Sequence, residues 1–132
     1  MSSNLIITIL TILALIFIGL IFWTQSKRNK ISESDQKRIR KHWNNLPLSP
    51  KDAILEADKI LDEGLKLRGY KGSLGGKLKQ AGPLFTNQNN VWSAHKLRNR
   101  IAHELSITIS EGESKRALGQ FKQALKDLGF KL

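Results

Sequence analysis

The chain has 132 residues and no cysteine, so one small domain is the starting expectation, and disulfides and thiolate metal sites are excluded. Its 22 Lys and Arg against 11 Asp and Glu give a formal net charge of +11 and a pI near 10.2. Such an excess points to a polyanionic partner, nucleic acid or an anionic membrane surface, without choosing between them.

The charge is unevenly spread. Residues 5–23, "LIITILTILALIFIGLIFW", carry no charged side chain, and every ionised side chain comes after Thr24. As a helix this stretch rises about 28 Å, close to the ~30 Å of a bilayer's hydrocarbon core. Thr8 and Thr11 can bond back to their own helix, and Trp23 stands where an interfacial aromatic belongs. A signal peptide fits less well: "MSSN" lacks Lys and Arg, the apolar run is long, and no small-residue cleavage site follows. A transmembrane anchor over 1–26, spanning about 5–23, is therefore expected, with the lipid bilayer as its partner. The "KRNK" at its end, Lys27, Arg28 and Lys30, predicts that the remainder faces the cytoplasm and that these cations lie against anionic headgroups. Residues 27–45 read as a basic juxtamembrane segment, in which "SESDQKRIRKHW" is a charged helix or a linker.

From residue 46 to 132 the apolar pattern is helical. In "LSPKDAILEADKILDEGLKLRGY", Ser49 with Asp52 predicts a capping box, Pro50 the first turn and Gly69 the exit. Ile54, Ala57, Leu61 and Leu65 supply a core stripe. The following Gly76-Lys77 suggests a phosphate loop, but Lys71 stands where that motif needs glycine and Leu78 where it needs Ser or Thr. A short helix over Leu74–Ala81, stopped by Gly82-Pro83, is expected instead. "NQNNVWSAHKLRNRIAHEL" predicts a helix with Ala94, Leu97, Ile101 and Leu105 on one face. "SITIS" interrupts, Ser110 and Glu113 predict a second capping box, and Leu118, Phe121, Leu125 and Leu128 run towards Gly129. Period-two alternation is never sustained, so the expected class is all-α: one N-terminal transmembrane helix followed by a small helical bundle. So thin a core would be helped by a second copy of the chain.

On the third of these helices His95, Asn99 and His103 recur at i, i+4 and i+8, nearly opposite the apolar stripe. The plain reading is a solvated face. Histidine and asparagine are nonetheless poor choices for a generic helix surface, and His103 falls where the C-terminal dipole favours its protonated form. His95 and His103 stand about 12 Å apart along the axis, too far to share a metal ion. Imidazole beside guanidinium suits phosphodiester chemistry, the imidazole moving protons while Arg holds phosphate.

"RNRIAH", Arg98 to His103, is Arg-x4-6-His with a polar residue directly after the Arg, and in this respect the chain resembles the HEPN superfamily of small helical domains. The likeness covers about residues 49–130, with an amphipathic helix before the motif and "ESKRALGQFKQALKDLGF" after it. The resemblance implies a four-helix-type bundle that dimerises and, in active members, cuts RNA without a metal or cofactor through attack by the ribose 2′-hydroxyl. Carried over, it implies Arg98 on the scissile phosphate, Asn99 supporting the geometry and His103 as acid and base. Lys96, Arg100 and His95 are expected to contact the flanking nucleic acid. Arg98 and His103 lie roughly 140° apart around one helix, so a second protomer is expected to complete the site. Two alternatives stay open: a non-catalytic HEPN-like module that binds RNA, a nucleotide or a protein, and an anchored interaction protein whose basic surface meets lipid. A regulatory partner is expected for a nuclease, and the sequence names none.

Overall fold

The computed structural model describes residues 2–26 and 30–132, so the membrane-surface assignments of Lys27 and Arg28 lie outside the described residues, while Lys30 is exposed. The chain divides into two compact units, residues 1–30 and 31–132. In the first, α1 (Ser3–Ser26) is long and apolar enough to cross a membrane. Its side chains from Leu5 to Trp23 are all exposed, which distinguishes it from the core helix of a soluble bundle. The hydroxyls of Thr8 and Thr11 donate to Asn4 O at 2.7 Å and Thr8 O at 2.8 Å. Both are satisfied within the helix, as an apolar medium requires.

The second unit contains α2 (Glu33–Asn44), α3 (Pro50–Leu67), α4 (Leu74–Ala81), a 3₁₀ turn (Gly82–Leu84), α5 (Gln88–His103) and α6 (Glu111–Asp127). Among the described residues there is no β-strand. α3 is the central helix, packed on α2, α4, α5 and α6. Its expected stripe of Ile54, Ala57, Leu61 and Leu65 is entirely buried. Phe121, Leu125 and Leu128 meet it from the α6 side, and Leu78 and Ala81 join the same core from α4.

Helices α3 and α6 end alike. Gly69 (φ +88°) and Gly129 (φ +105°) adopt the left-handed conformation that glycine takes without a Cβ penalty. The next residue's N–H then reaches back, Tyr70 to Leu65 O at 3.1 Å and Phe130 to Leu125 O at 3.0 Å. Each turn thereby tucks an aromatic ring, Tyr70 or Phe130, into the core. The Ser110–Glu113 capping box of α6 is formed reciprocally.

Three features differ from the sequence reading. Ser49 caps α3 by position, yet its side chain makes no cap hydrogen bond, so Pro50 and Asp52 mark that start without a capping box. Leu105, expected on the core face of α5, is fully exposed because Glu104 turns extended and ends the helix at His103. And the bundle begins at Ile31 rather than near residue 46. α2 packs on α3, burying Ile39, while Gln36 donates to Gly129 O at 2.8 Å and accepts from Lys131 N at 2.9 Å.

Candidate functional site

The α5 strip singled out in the sequence is organised by a residue on a neighbouring helix. Asp58 on α3 is 2 % exposed and occupies a position that continues the apolar stripe, four residues after Ile54 and three before Leu61. Its Oδ1 lies 2.9 Å from His95 Nδ1, and its Oδ2 lies 3.2 Å from Arg98 Nε. The Arg98 contact is an ion pair rather than an aligned hydrogen bond, for Nε is left without an in-line acceptor. Arg98 Nη1 donates to Asn99 Oδ1 at 3.1 Å, and Asn99 Nδ2 stands 3.4 Å from His95 Nε2. Four side chains therefore close a ring, Asp58 to His95 to Asn99 to Arg98 and back.

This ring fixes more than position. An ionised Asp58 can only accept, so His95 Nδ1 donates to it, and Nε2 faces the Asn99 amide. Trp92 closes the same corner edge-on to the His95 ring, with centroids 5.9 Å apart and planes at 73°. A buried carboxylate without partners is costly, so Asp58 persists here because a cation and an imidazole meet it.

The strip expected to face solvent is thus split. His95 faces α3, its side chain only 12 % exposed with both ring nitrogens engaged, and Asn99 is half-buried beside it. The expected nucleic-acid contact by His95 is corrected accordingly: its nitrogens are occupied inside the bundle and do not project to a phosphate. Arg98 is half-way inside, its side chain 29 % exposed beside Asp58. His103 is exposed as the last residue of α5. Arg98 and His103 are not brought into contact within one chain; the partners of Arg98 are Asp58 and Asn99. Lys96 and Arg100 are exposed on the side of α5 turned to α6, where Arg100 Nε lies 3.3 Å from Glu104 Oε1.

Asp58 is the residue of the candidate site that reading the sequence alone missed. The available signal was a carboxylate set within an otherwise apolar stripe, a placement that demands a buried partner.

Comparison with protein-family models, curated proteins and solved structures finds no match for this chain.

Proposed function

We propose that this protein is a membrane-anchored, HEPN-like, metal-independent endoribonuclease acting as a dimer. One observation carries the reading: Arg98 is held on buried Asp58 with Asn99 at its side, while His103 stands unburied on the same helix. A fixed guanidinium and a solvent-reachable imidazole are the two groups that RNA transesterification needs. In that reaction the ribose 2′-hydroxyl loses its proton to an imidazole and its oxygen attacks the adjacent phosphorus. The bond to the 5′-oxygen breaks, and that oxygen takes a proton from an imidazolium. The products are a 2′,3′-cyclic phosphate and a free 5′-hydroxyl. Arg98 would hold the charge building on the phosphoryl oxygens.

Base and acid must stand on opposite sides of the phosphate, whereas each chain offers one His103. Two chains related by a two-fold axis supply one imidazole for each task. Asn99 keeps the Arg98 guanidinium turned, and Asp58 and His95 hold it in place without touching RNA. The apolar α1 anchors the assembly in the bilayer. The cluster Lys27, Arg28 and Lys30 favours a cytoplasmic bundle with these cations at the anionic surface.

The deciding experiment uses the full chain in detergent micelles with single-stranded RNA in EDTA. Cleavage is expected, and His103→Ala should lower it at least ~100-fold, the usual share of a general acid–base group, with an unchanged helical circular dichroism spectrum. A second reading, a non-catalytic HEPN-like RNA-binding module, is favoured by one feature: Asp58 already offsets the Arg98 charge. Bound but uncut RNA would select it. Recruitment to anionic liposomes without RNA competition at physiological salt would select the lipid-facing alternative.

A further inference from the structure

Two grooves lie side by side along α5 and α6, and neither belongs to the Asp58 ring. The first, about 270 Å³, is lined by Ser93, Lys96 and Arg100 of α5 and Glu113, Arg116 and Gln120 of α6. The second, about 440 Å³, is lined by Asn87, Asn90, Gln120, Gln123 and Asp127. Arg116 and Gln120 line both, so the two form one continuous trough. From Asn90 to Arg100 the trough follows α5 for about 15 Å.

Its chemistry is polarised. Lys96 and Arg100 supply cations at one end, and Arg116 stands where the two grooves meet. The carboxylates present are already engaged: Glu113 accepts from Ser110 N at 3.0 Å, and Asp127 accepts from Thr86 N at 2.7 Å and Gln123 Nε2 at 2.9 Å. Arg100 shares an exposed pair with Glu104, which holds it weakly. Lys96 and Arg116 meet no carboxylate among the described residues. The other end carries amides, each both donor and acceptor, which match the edges of unstacked bases. On the wheel of α5, His103, Lys96 and Arg100 fall in succession within roughly 60° of arc, so a strand gripped by the two cations passes the imidazole.

We infer that this trough is the path of single-stranded RNA, with Lys96, Arg100 and Arg116 on phosphates and the amides of Asn90, Gln120 and Gln123 on base edges. An anionic membrane is the less suitable occupant. A lipid surface meets an outward-facing layer of cations, whereas here the cations line a recess that continues into a stretch of amides, where the Asp127 carboxylate is held by Thr86 and Gln123. The inference deepens the ribonuclease reading by naming its substrate track, but RNA binding in the trough does not require cleavage.

The test is fluorescence anisotropy of a 5′-fluorescein single-stranded RNA dodecamer with the full chain in micelles at ~150 mM salt. Cleavage is followed on the same samples. Arg116→Glu should weaken binding roughly tenfold and make the salt dependence shallower by about one counterion. Lys71→Glu, the same charge change at an exposed lysine outside both grooves, should leave binding within about twofold. Gln123→Ala should alter the preference among oligo-U, oligo-A and oligo-C without changing the salt slope. The trough is overturned if Arg116→Glu and Lys71→Glu weaken binding equally, or if anionic vesicles displace the RNA and the wild type binds them with the same Arg116 dependence. It is also overturned if the wild type binds no RNA, an outcome that removes the nuclease reading as well. RNA bound through Arg116 but left uncut by the wild type sustains the trough and removes only the nuclease. RNA cut normally by Arg116→Glu removes only the trough.

Discussion

A carboxylate inside a helical bundle persists only if a partner meets it, and this small protein does so twice on α3. Asp58 faces His95 and Arg98 at the candidate site, and one turn on Asp62 faces two lysines. Lys77, 1 % exposed, reaches Asp62 Oδ1 from α4, and Lys66 Nζ lies 3.0 Å from Oδ2. Burial pushes the Asp62 carboxyl up, but the hydrogen bonds and charges of Lys77 and Lys66 outweigh it and hold the group below its ordinary value. Because the folded value is the lower one, this contribution to stability is complete above the unfolded value near ~3.9 and is lost as pH falls through the folded value. Asp62→Asn should cost about 2 kcal/mol at pH 7, less than the ~3–5 kcal/mol of a fully enclosed pair, because Asp62 keeps a quarter of its side chain in water. Lys77→Met should cost less, since it removes the ammonium along with the need for its partner. Urea midpoints measured from pH 7 down to about pH 2 read both effects. An Asp62→Asn acid limb as steep as the wild type's would assign the acid sensitivity to other carboxylates. Lys66 follows Asp62 at i+4, but the partners from other helices, Lys77, His95 and Arg98, were not legible in the sequence, because an acid in a stripe announces that it needs a partner without saying which helix brings one. The α5 strip was visible as a pattern, yet which half of it faces inward depended on Asp58.

Among the elements, those with strong period and firm ends were readable and those held by distant contacts were not. The α3 stripe, the short α4 and the capped α6 follow from spacing, caps and stops within a few residues of one another. Leu105 fits the α5 stripe by arithmetic, but the helix stops two residues before it, and an extended Glu104 leaves no periodicity to project. Glycine placement gives a test at this scale. On α3, a Cβ added at Gly64 would stand 2.9 Å from Leu125 Cδ2 and 3.0 Å from Phe130 Cε2, whereas one added at Gly119 on α6 meets nothing within 4 Å. Alanine gains about 1 kcal/mol of helix propensity over glycine at either place. At Gly64 the overpacking of the α3–α6 contact, typically about 1–3 kcal/mol, works against that gain. Gly64→Ala is therefore expected to lower the thermal midpoint and Gly119→Ala to raise it. Equal shifts of the same sign would mean that α3 and α6 are not pressed together at Gly64 as the structure has them.

At the scale of the molecule, the decisive revision is where the bundle starts. The basic stretch after the span reads as juxtamembrane because it holds too few apolar residues to predict a core face. Yet one buried isoleucine and one glutamine suffice when their partners lie at the far end of the chain. Gln36 ties α2 to Gly129 and Lys131, and Arg40 Nε donates to Lys131 O at 3.0 Å, links that leave no trace in local spacing. With α2 included, the bundle holds more core than residues 46–132 alone, so stability makes less demand on a second copy than the proposed site does. These two roles can be separated by truncation. A fragment of residues 31–132 keeps Ile39, Gln36 and the whole core, and it should unfold cooperatively at a midpoint close to that of the same unit in the full chain. A fragment starting at residue 46 loses the Ile39 burial, worth about 1.5–3 kcal/mol, together with the two Gln36 hydrogen bonds at about 1 kcal/mol each. A loss near 4 kcal/mol is most of the margin of a small domain, so this shorter piece should be unfolded or barely folded at 25 °C. Circular dichroism melts of the two fragments decide the boundary: matching midpoints would place α2 outside the folding unit. Light scattering on the longer fragment then addresses pairing alone, since a stable monomer that still cuts RNA would mean that one chain brings Arg98 and His103 to the phosphate without help.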